Sequence, residues 1–365
     1  MTGGRAAAER LSRFCRAAPK VELHVHLEGA IRPGTLLALG RRRGVDLPAD
    51  DEGGLERWFR FRDFDHFVEV YLTCSRCLVR PEDFQLVVAD FLAEQARQNV
   101  RYSEVHFTVG THIGNGADGG ELADAIWEAV LEAERRWGVT LRLIPDIVRN
   151  LGAEAAEVPL EWALAHRERG VVALGLSGSE RFPAEPFREH FRTARDAGLA
   201  TVAHAGEQGD AASIRSTLEA CRPRRIGHGI AAADDPALLE DLRRDGVPLE
   251  VCPSSNVALG LVADLAAHPF DRLRRAGVPV SINSDDPSFF DTTLSLEYER
   301  LARTFGYGRA ELAALARAGL EHSLAAGDLR RELDGWMRRG FATLGVEYDA
   351  AAGGGARRPN HSAGR

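Results

Sequence analysis

The stretch LATVAHAGE at residues 199–207 decides the fold, because it joins an apolar, strand-forming run to two chemically active side chains. A possible metal ligand, His204, and a possible proton donor, Glu207, stand at the end of this predicted strand. Similar short β-branched runs alternate with longer amphipathic stretches from about residue 20 to about residue 300. This alternation predicts βα units arranged around a parallel sheet.

The number of predicted strands matches a closed (β/α)8 barrel, also called a TIM barrel. Helical segments with apolar residues at three- and four-residue spacing separate the strands, as at 121–137, 186–197 and 236–245. We therefore predict an α/β fold with a parallel barrel at its centre. The predicted strands are 21–26, 100–107, 139–147, 171–176, 199–204, 225–228, 248–251 and 278–283.

The segments outside this βα pattern predict additions to the barrel. Residues 36–99 form a connection too long for a simple loop, and we expect a helical cap insertion over the barrel mouth. Residues 309–344 are expected to form C-terminal helices. Residues 1–350 would thus form a single domain, followed by a disordered tail at 351–365 that is rich in Gly, Ala and Arg.

The composition limits the classes of partner. The 365 residues carry a formal net charge of -8, with acids and bases interspersed rather than gathered into a basic stripe, so nucleic acid is not an expected partner. No stretch is apolar enough to form a signal segment or to span a bilayer, so no membrane partner is expected. Five scattered cysteines, including a lone CxxC at Cys74 and Cys77 that we interpret as structural, favour a cytoplasmic protein. The oligomeric state stays open.

Two histidines on the first predicted strand point to the same side of it, because side chains two residues apart share a face. Taken alone, a pair such as His24 and His26 is more often a polar strand face than a metal site. With His204 and the carboxylate of Asp285 at the ends of other strands, the pair favours a zinc ion that keeps an open position for water. Metal-assisted hydrolysis is therefore the leading hypothesis.

Other polar residues at strand ends allow both a functional and a structural interpretation. Flanking glycines leave the imidazole of His228 unobstructed, although a hydrogen-bonded turn histidine would look the same. Asp285 and Asp286 cannot point the same way, so one could bind metal and the other substrate, or both could cap a loop or helix. Glu207 could equally be a surface residue that caps the next helix.

Six motifs resemble those of the adenosine deaminase family and occur in the family's order. Together they are highly specific, and they span most of the predicted barrel. They are KVELHVHLEGA at 20–30, GLSGSE at 175–180, HAGE at 204–207, RIGHG at 225–229, EVCPSSN at 250–256 and SINSDDP at 281–287.

The resemblance implies one zinc ion (Zn²⁺) per chain and the hydrolytic deamination of a 6-aminopurine. Zinc lowers the pKa of bound water to about 7, His228 would orient that water or take its proton, and a protonated Glu207 would protonate the purine ring. The zinc ligands implied are His24, His26, His204 and Asp285. The substrate contacts implied are His26, Glu28, the backbone N–H of Gly178, which also suits a strand-ending turn, and Asp286.

The only lysine, Lys20, limits the chemistry of the chain. Many barrel amidohydrolases bridge two metals with a carboxylated lysine on a middle strand, whereas Lys20 lies before His24. We therefore predict a mononuclear site, and lysine Schiff-base chemistry is disfavoured.

The choice of substrate is ambiguous because the motifs disagree. By resemblance, Glu28 favours adenine, since adenosine deaminases usually have aspartate there, whereas Gly227 and the GLSGSE motif favour a nucleoside. Segment 59–67 resembles that of 6-aminodeoxyfutalosine deaminases, although those enzymes usually lack an acid at position 28. Phe61, Phe64 and Phe67 recur there at helical spacing, which predicts a helix packed on the barrel that could also wall the ligand pocket.

We expect adenosine or 2'-deoxyadenosine as the substrate, giving inosine or 2'-deoxyinosine plus ammonia. Adenine and a modified adenosine such as 6-aminodeoxyfutalosine are the alternatives within the same class. A non-catalytic purine-binding protein is the alternative from a different class, and the complete ligand set together with Glu207 and His228 disfavours it.

Overall fold

Eight parallel strands form the centre of the computed structural model, which describes residues 2–349. They are β1 Lys20–His26, β2 Val100–Phe107, β3 Thr140–Val148, β4 Ala173–Ser177, β5 Ala200–Ala205, β6 Arg225–His228, β7 Leu249–Val251 and β8 Val280–Ile282. Their order in the sheet follows the sequence, and each pairs in parallel with the next. The predicted (β/α)8 barrel is confirmed, with strand ends within two residues of those expected.

The barrel closes between its last and first strands at the position of the candidate metal ligands. Asp285, three residues beyond the end of β8, forms a parallel bridge with Val25 of β1. The N–H of His26 donates to the carbonyl of Asp285 at 2.8 Å, and the N–H of Asp285 donates to the carbonyl of His24 at 3.1 Å. Backbone pairing therefore fixes Asp285 beside both histidines of β1.

Helices cover the outside of the barrel. One cluster of buried apolar residues joins the helices after β1 to strands β2–β5, and a second joins the first and last helices of residues 2–349 to β6–β8. The helices are α1 Thr2–Ala17, α2 Pro33–Arg43, α3 Glu52–Trp58, α4 Phe64–Arg76, α5 Pro81–Arg97, α6 Val109–Gly114, α7 Gly119–Trp137, α8 Glu157–Ala165, α9 Arg188–Asp196, α10 Ala211–Cys221, α11 Pro236–Asp245, α12 Pro253–Ala258, α13 Phe270–Arg275, α14 Leu294–Phe305, α15 Arg309–His322 and α16 Gly327–Thr343.

Local signals explain why α11 matches its predicted bounds. The side chain of Asp235 accepts hydrogen bonds from the N–H groups of Ala237 and Leu238, and Pro236 occupies the first turn, where no N–H is needed. Gly246 ends the helix with a φ of 65°, a left-handed conformation that glycine adopts without steric cost.

The insertion after β1 is helical, as predicted, and contains α2 to α5. The salt bridge between Arg181 and Asp65, 3.1 Å long, joins the loop after β4 to the first turn of α4. Helices α15 and α16 confirm the C-terminal helices expected at 309–344, and α14 precedes them. The division into one domain at 1–350 stays a prediction, and the predicted tail at 351–365 lies outside the described residues.

The ammonium group of Lys20 ties two helix ends together at the amino end of β1. It donates to the carbonyls of Cys15 and Ala18, both at 2.7 Å, and to that of Gln98 at 2.8 Å. These carbonyls lie at the carboxyl ends of α1 and α5, where partial negative charge attracts a cation. The side chain is fully buried, so the only lysine of the chain has a structural position.

Two further sequence predictions concern chain segments away from the barrel mouth. All five cysteines are buried and free, including Cys74 and Cys77, in agreement with a structural interpretation of the CxxC. Among residues 2–349, no helix combines the length and the apolar character needed to cross a membrane.

Candidate active site

A cavity of about 530 Å³ opens at the carboxyl ends of the strands, where barrel enzymes build their active sites. Most of the site residues predicted from the sequence line it. His24 lies below them and is fully buried, and Glu28 is buried without lining the cavity. The predicted residues that line the cavity are His26, Gly178, His204, Glu207, His228, Asp285 and Asp286.

The four predicted metal ligands converge on one point. One ligand atom from each of His24, His26, His204 and Asp285 lies within 4.8 Å of the other three. Asp285 Oδ1 is 3.4 Å from the Nε2 atoms of both His24 and His26. The Nε2 atoms of His26 and His204 face each other at 3.2 Å. The structure therefore brings together side chains from β1, β5 and the loop after β8.

The protonation chemistry of this group suits a cation. Nδ1–H of His204 donates to the carbonyl of Leu176 at 2.9 Å, so Nε2 of the neutral ring carries the lone pair. Burial lowers the pKa of His204 well below its usual range and lowers that of His26 to about 4. Burial opposes ionisation of Asp285, but the imidazoles of His228 and His24 outweigh it and lower its pKa. Burial lowers the pKa of His24, but Asp285 and Glu250 outweigh it and raise that pKa to about 10, so a metal at this point would displace the proton from its Nε2. With two neutral imidazoles and a carboxylate beside it, the group fits a divalent metal.

Two other potential metal groups share His24 with this one. In one, His228 and Cys252 join Asp285, but burial raises the pKa of Cys252 well above its usual range and keeps it a thiol. In the other, His106 joins Glu250. Nδ1–H of His24 donates to Glu250 at 3.0 Å, which directs Nε2 of His24 at the first group.

Two buried ion pairs hold the carboxylate of Glu250 in place. The carboxylate of Glu250 is paired with the guanidinium of Arg225, which also contacts Glu104 at 2.5 Å. Burial raises the pKa of Glu250, but Arg225 and the hydrogen bond from His24 outweigh it and lower that pKa to about 2. Glu250 therefore stays a carboxylate, as an acceptor for a metal-binding histidine should.

Backbone conformations at the site are unusual for side-chain-bearing residues. His228 has a φ of 61° and Asp285 a φ of 64°, in the left-handed region that is strained for residues other than glycine. Neighbouring Gly227 leaves room for the imidazole of His24, because a Cβ at Gly227 would lie 2.7 Å from Cε1 of that ring. Strained and closely packed backbone therefore coincides with the cluster of histidines.

Glu207 and His228 face each other beside the metal group. Glu207 Oε1 is 3.7 Å from Nε2 of His228, and that Nε2 is 3.9 Å from Oδ2 of Asp285. Burial, followed by the nearby charge of Asp285, raises the pKa of Glu207 to about 8. Burial lowers the pKa of His228 to about 3. Near neutral pH the pair is thus a protonated acid beside a neutral imidazole, which is the combination an acid–base mechanism needs.

Asp286 and Gly178 present polar groups to the other parts of the cavity. Burial, followed by the charge of Asp285, raises the pKa of Asp286 well above its usual range, and its Oδ1 has no hydrogen-bond partner. Gly29 makes room for it, since a Cβ there would lie 1.8 Å from that oxygen. Gly178 has a φ of 91°, and a Cβ there would lie 2.5 Å from Asn150 Oδ1. Both glycines are thus required by close contacts.

Glu28 is held away from the cavity by its neighbours. Its Oε1 accepts hydrogen bonds from the N–H of Thr108 at 2.9 Å, from the hydroxyl of Thr108 at 2.6 Å and from His112 Nε2 at 2.9 Å. Oε2 of Glu28 and the hydroxyl of Tyr71 have no hydrogen-bond partner, and Tyr71 lines the cavity. A direct substrate contact by Glu28 stays a prediction.

One face of α4 forms an apolar wall of the cavity. Phe67 of this face also packs against Phe290 with ring centres 5.9 Å apart, so it serves both the core and the cavity. Leu72, together with Leu151 from the loop after β3, remains exposed at the cavity mouth, 46% and 56% respectively. The lining residues of α4 are Phe64, Phe67, Val68, Tyr71 and Leu72, which recur at the three- and four-residue spacing of a helix face.

Sequence reasoning missed the residues that support the site from behind. Arg225 and Glu250 stand within the motifs RIGHG and EVCPSSN but were given no role. Their motif membership was the only signal available, because their partners are distant in sequence, as with Glu104 and Arg225, which are 121 positions apart.

Three imidazoles, a carboxylate and a buried acid meet at the mouth of the barrel. This combination is the one expected of an enzyme that carries out metal-assisted hydrolysis. The family model described as "Adenosine deaminase" matches residues 19–337. The chain belongs to the adenosine deaminase family.

Individual relatives refine this assignment. The chain is 38% identical to the aminodeoxyfutalosine deaminase of Acidothermus cellulolyticus over 87% of its own length and 90% of that protein. It is 37% identical to the adenine deaminase of Cupriavidus necator over 88% of its own length and 90% of that protein. A zinc-bound amidohydrolase from Burkholderia ambifaria superimposes with a TM-score of 0.84 at 27% identity, covering 92% of this chain and 93% of that one.

These similarities test the functional predictions. The chain is a hydrolytic deaminase, which removes the alternative of a non-catalytic purine-binding protein. The buried cluster and the zinc-bound neighbour indicate a divalent metal. The expectation of adenosine as substrate is not supported by these relatives, whose names instead match the two alternatives, adenine and aminodeoxyfutalosine.

Proposed function

We propose that this deaminase hydrolyses the 6-amino group of aminodeoxyfutalosine, a modified adenosine, and releases ammonia. The observation that carries the proposal is the apolar face of α4. Five of its residues line the cavity, among them Tyr71, whose ring centre lies 6.3 Å from that of His26, and Leu72, which is 46% exposed. A volume of about 530 Å³ lies in the range of sites for large organic ligands, and a free purine base would leave much of this wall in water. The relative from Acidothermus cellulolyticus carries the same activity in its name.

The proposed metal ligands are His24, His26, His204 and Asp285, and the proposed ion is a single Zn²⁺. When bound, zinc supplies Lewis-acid activation of a water molecule for attack on the ring carbon that bears the amino group. His26 and Asp285 both line the cavity, so the bound ion would be open to it.

Glu207 and His228 are proposed to move protons. Attack on the purine ring requires a proton at the neighbouring ring nitrogen, and Glu207, protonated in its buried position, can supply it. Neutral His228 can accept or orient a proton of the attacking water, because its Nε2 faces Glu207 and Asp285. Nδ1 of His228 is 3.4 Å from Asn256 Nδ2, which holds the ring in place.

The remaining polar groups are proposed to orient the purine. The carboxyl group of Asp286, whose pKa burial raises, can hydrogen-bond a nitrogen of the imidazole part of the ring. The backbone N–H of Gly178 can reach the pyrimidine part, since Gly178 lines the cavity and carries no side chain of its own. In this proposal Glu28 does not contact the purine, because it lies behind Tyr71 of the cavity wall.

Adenine is a second candidate substrate. It is favoured by Glu28, the residue typical of adenine deaminases at this position, and by the relative from Cupriavidus necator. Three hydrogen bonds from Thr108 and His112 to its Oε1 count against a direct contact between Glu28 and the base. We therefore rank adenine below aminodeoxyfutalosine.

A substrate panel tests the proposal. The purified protein is loaded with zinc and assayed with aminodeoxyfutalosine, adenine and adenosine, following the ultraviolet change from an amino- to an oxopurine. We expect the highest kcat/KM with aminodeoxyfutalosine, by about tenfold or more, which corresponds to about 1.4 kcal/mol of extra contact. A higher kcat/KM with adenine would select the second candidate, and turnover of none of the three would refute both.

A further inference from the structure

Four successive backbone N–H groups in the loop after β5 converge on the carboxylate of Glu180. Oε2 accepts from Gly206 at 2.7 Å, and Oε1 accepts from Glu207 at 2.8 Å, from Gln208 at 2.9 Å and from Gly209 at 3.1 Å. We call these four groups the 206–209 amide nest. Successive N–H groups that point into one concavity form a strong anion site, and here the anion is a side chain of the same protein.

The surroundings of the nest are shaped for this one carboxylate. A Cβ at Gly209 would lie 2.4 Å from Oε2 of Glu180, so only glycine leaves room for it. The hydroxyl of Ser213, in the first turn of α10, donates to the same oxygen. Burial raises the pKa of Glu180, but the hydrogen bonds from Ser213 and the nest outweigh it and lower that pKa. Glu180 is therefore an ionised carboxylate with at least five donors.

The nest contains the backbone of the proposed proton donor. The N–H of Glu207 itself donates to Glu180, while its side chain extends into the cavity and faces His228 at 3.7 Å. Just before the nest, the guanidinium of buried Arg149 donates to the carbonyl of His204 at 2.7 Å. The short segment from the metal ligand to the acid is thus held by a cation at one end and an anion at the other.

We propose that Glu180 is a positioning residue for the reaction, which fixes the backbone of Glu207 so that its carboxyl group stays within reach of the purine ring. This inference rests on the proposed role of Glu207 as proton donor. Glu180 does not line the cavity and acts only through the nest. A displacement of about 1 Å at a catalytic group is enough to lower turnover by about 100-fold.

The variant Glu180→Gln tests the inference, because it keeps the size of the side chain but turns one acceptor oxygen into a donor that faces N–H groups. We expect kcat to fall by about 10- to 100-fold while KM changes less than about threefold, since the substrate-contacting groups stay in place. Metal content per chain should equal that of the wild type. A wild-type kcat, or a loss confined to KM, would overturn the inference.

The matched control is Asp210→Asn, which changes a carboxylate beside the same loop. The side chain of Asp210 accepts from the N–H groups of Ala212 and Ser213 at the start of α10, whereas the four N–H groups of the nest donate to Glu180. We expect a kcat within about twofold of the wild type, because asparagine also caps helices well. An equal loss of kcat in both variants would reduce the role of Glu180 to general support of α10 and overturn the inference.

A double-mutant cycle separates positioning of Glu207 from any independent effect. If Glu180 acts through Glu207, then Glu180→Gln should slow the Glu207→Gln variant by less than about twofold. A further slowing equal to that seen in the wild type would overturn the inference. A wild-type rate for Glu207→Gln alone would instead refute the proposed role of Glu207, so the two failures are distinguishable.

A milder variant covers the case in which Glu180→Gln fails to fold. Ser213→Ala removes one of the donors to Glu180 and leaves the nest intact. We expect a several-fold loss of kcat with KM unchanged, measured on protein with a wild-type circular dichroism spectrum. An unchanged kcat would overturn the inference.

Discussion

Replacing both exposed leucines at the cavity mouth by serine tests why the substrate should be larger than a free base. Leu72 is 46% exposed and Leu151 is 56% exposed, so together they offer about as much free surface as one whole leucine side chain. Covering such a side chain contributes about 1.5–3 kcal/mol. A ligand that covers both should lose this contribution in the double variant, which corresponds to a fall in kcat/KM of about 10- to 100-fold.

Adenine provides the internal comparison in this experiment. A base bound among Gly178, Glu207 and Asp286 would not reach the mouth, so its kcat/KM, or its inhibition constant as a competitor, should change less than about twofold. Steady-state kinetics on the same protein preparation would measure both values. Leu86→Ser is the matched control, because Leu86 is similarly exposed on α5 and does not line the cavity. Equal losses for both ligands, or no loss for aminodeoxyfutalosine, would refute the reasoning.

Three further predictions concern the proton donor, the support of the metal group and the buried lysine. Glu207→Gln should keep its metal but lose about 100- to 10,000-fold in kcat. Burial raises the pKa of Glu207 to about 8 and only the protonated form acts, so the kcat/KM of the wild type should fall as the pH rises through about 8. A kcat/KM that stays constant at alkaline pH would contradict this role. Glu250→Gln should weaken metal binding by about 10- to 100-fold in a chelator titration, because His24 loses its anionic partner, and unchanged affinity would count against that support. Lys20→Met should lower the free energy of unfolding by about 3 kcal/mol in urea, because three carbonyls lose their donor, and a loss below about 1 kcal/mol would exclude the structural role.

The parts of the fold that local chemistry determines could be predicted from the sequence. The bounds of α11 follow from Asp235, Pro236 and Gly246, which act within a few residues of the helix ends. The strand order followed from the alternation of βα units, since parallel strands joined by helices have few alternative arrangements. The convergence of His204 with His24 followed from the same barrel geometry.

The residues that could not be predicted depend on contacts between distant segments. Only the folded chain shows that Thr108 and His112, 80 and 84 residues later, donate hydrogen bonds to Oε1 of Glu28. The left-handed backbone of His228 and Asp285 was likewise invisible in the sequence, because residues other than glycine seldom adopt it by local preference. The choice between two substrates also depends on cavity shape, which a motif does not encode.

The burial of Lys20 gives this deaminase an outer surface without a single ε-amine. Reagents that couple to amines at neutral pH would find none on the folded chain apart from the α-amino group at its amino end. Acylation of Lys20 requires the carboxyl ends of α1 and α5 to separate from the amino end of β1. An amine-directed dye would modify Lys20 only when this region opens. The rate of modification of the unaltered protein would therefore measure how often the amino end of β1 unfolds locally.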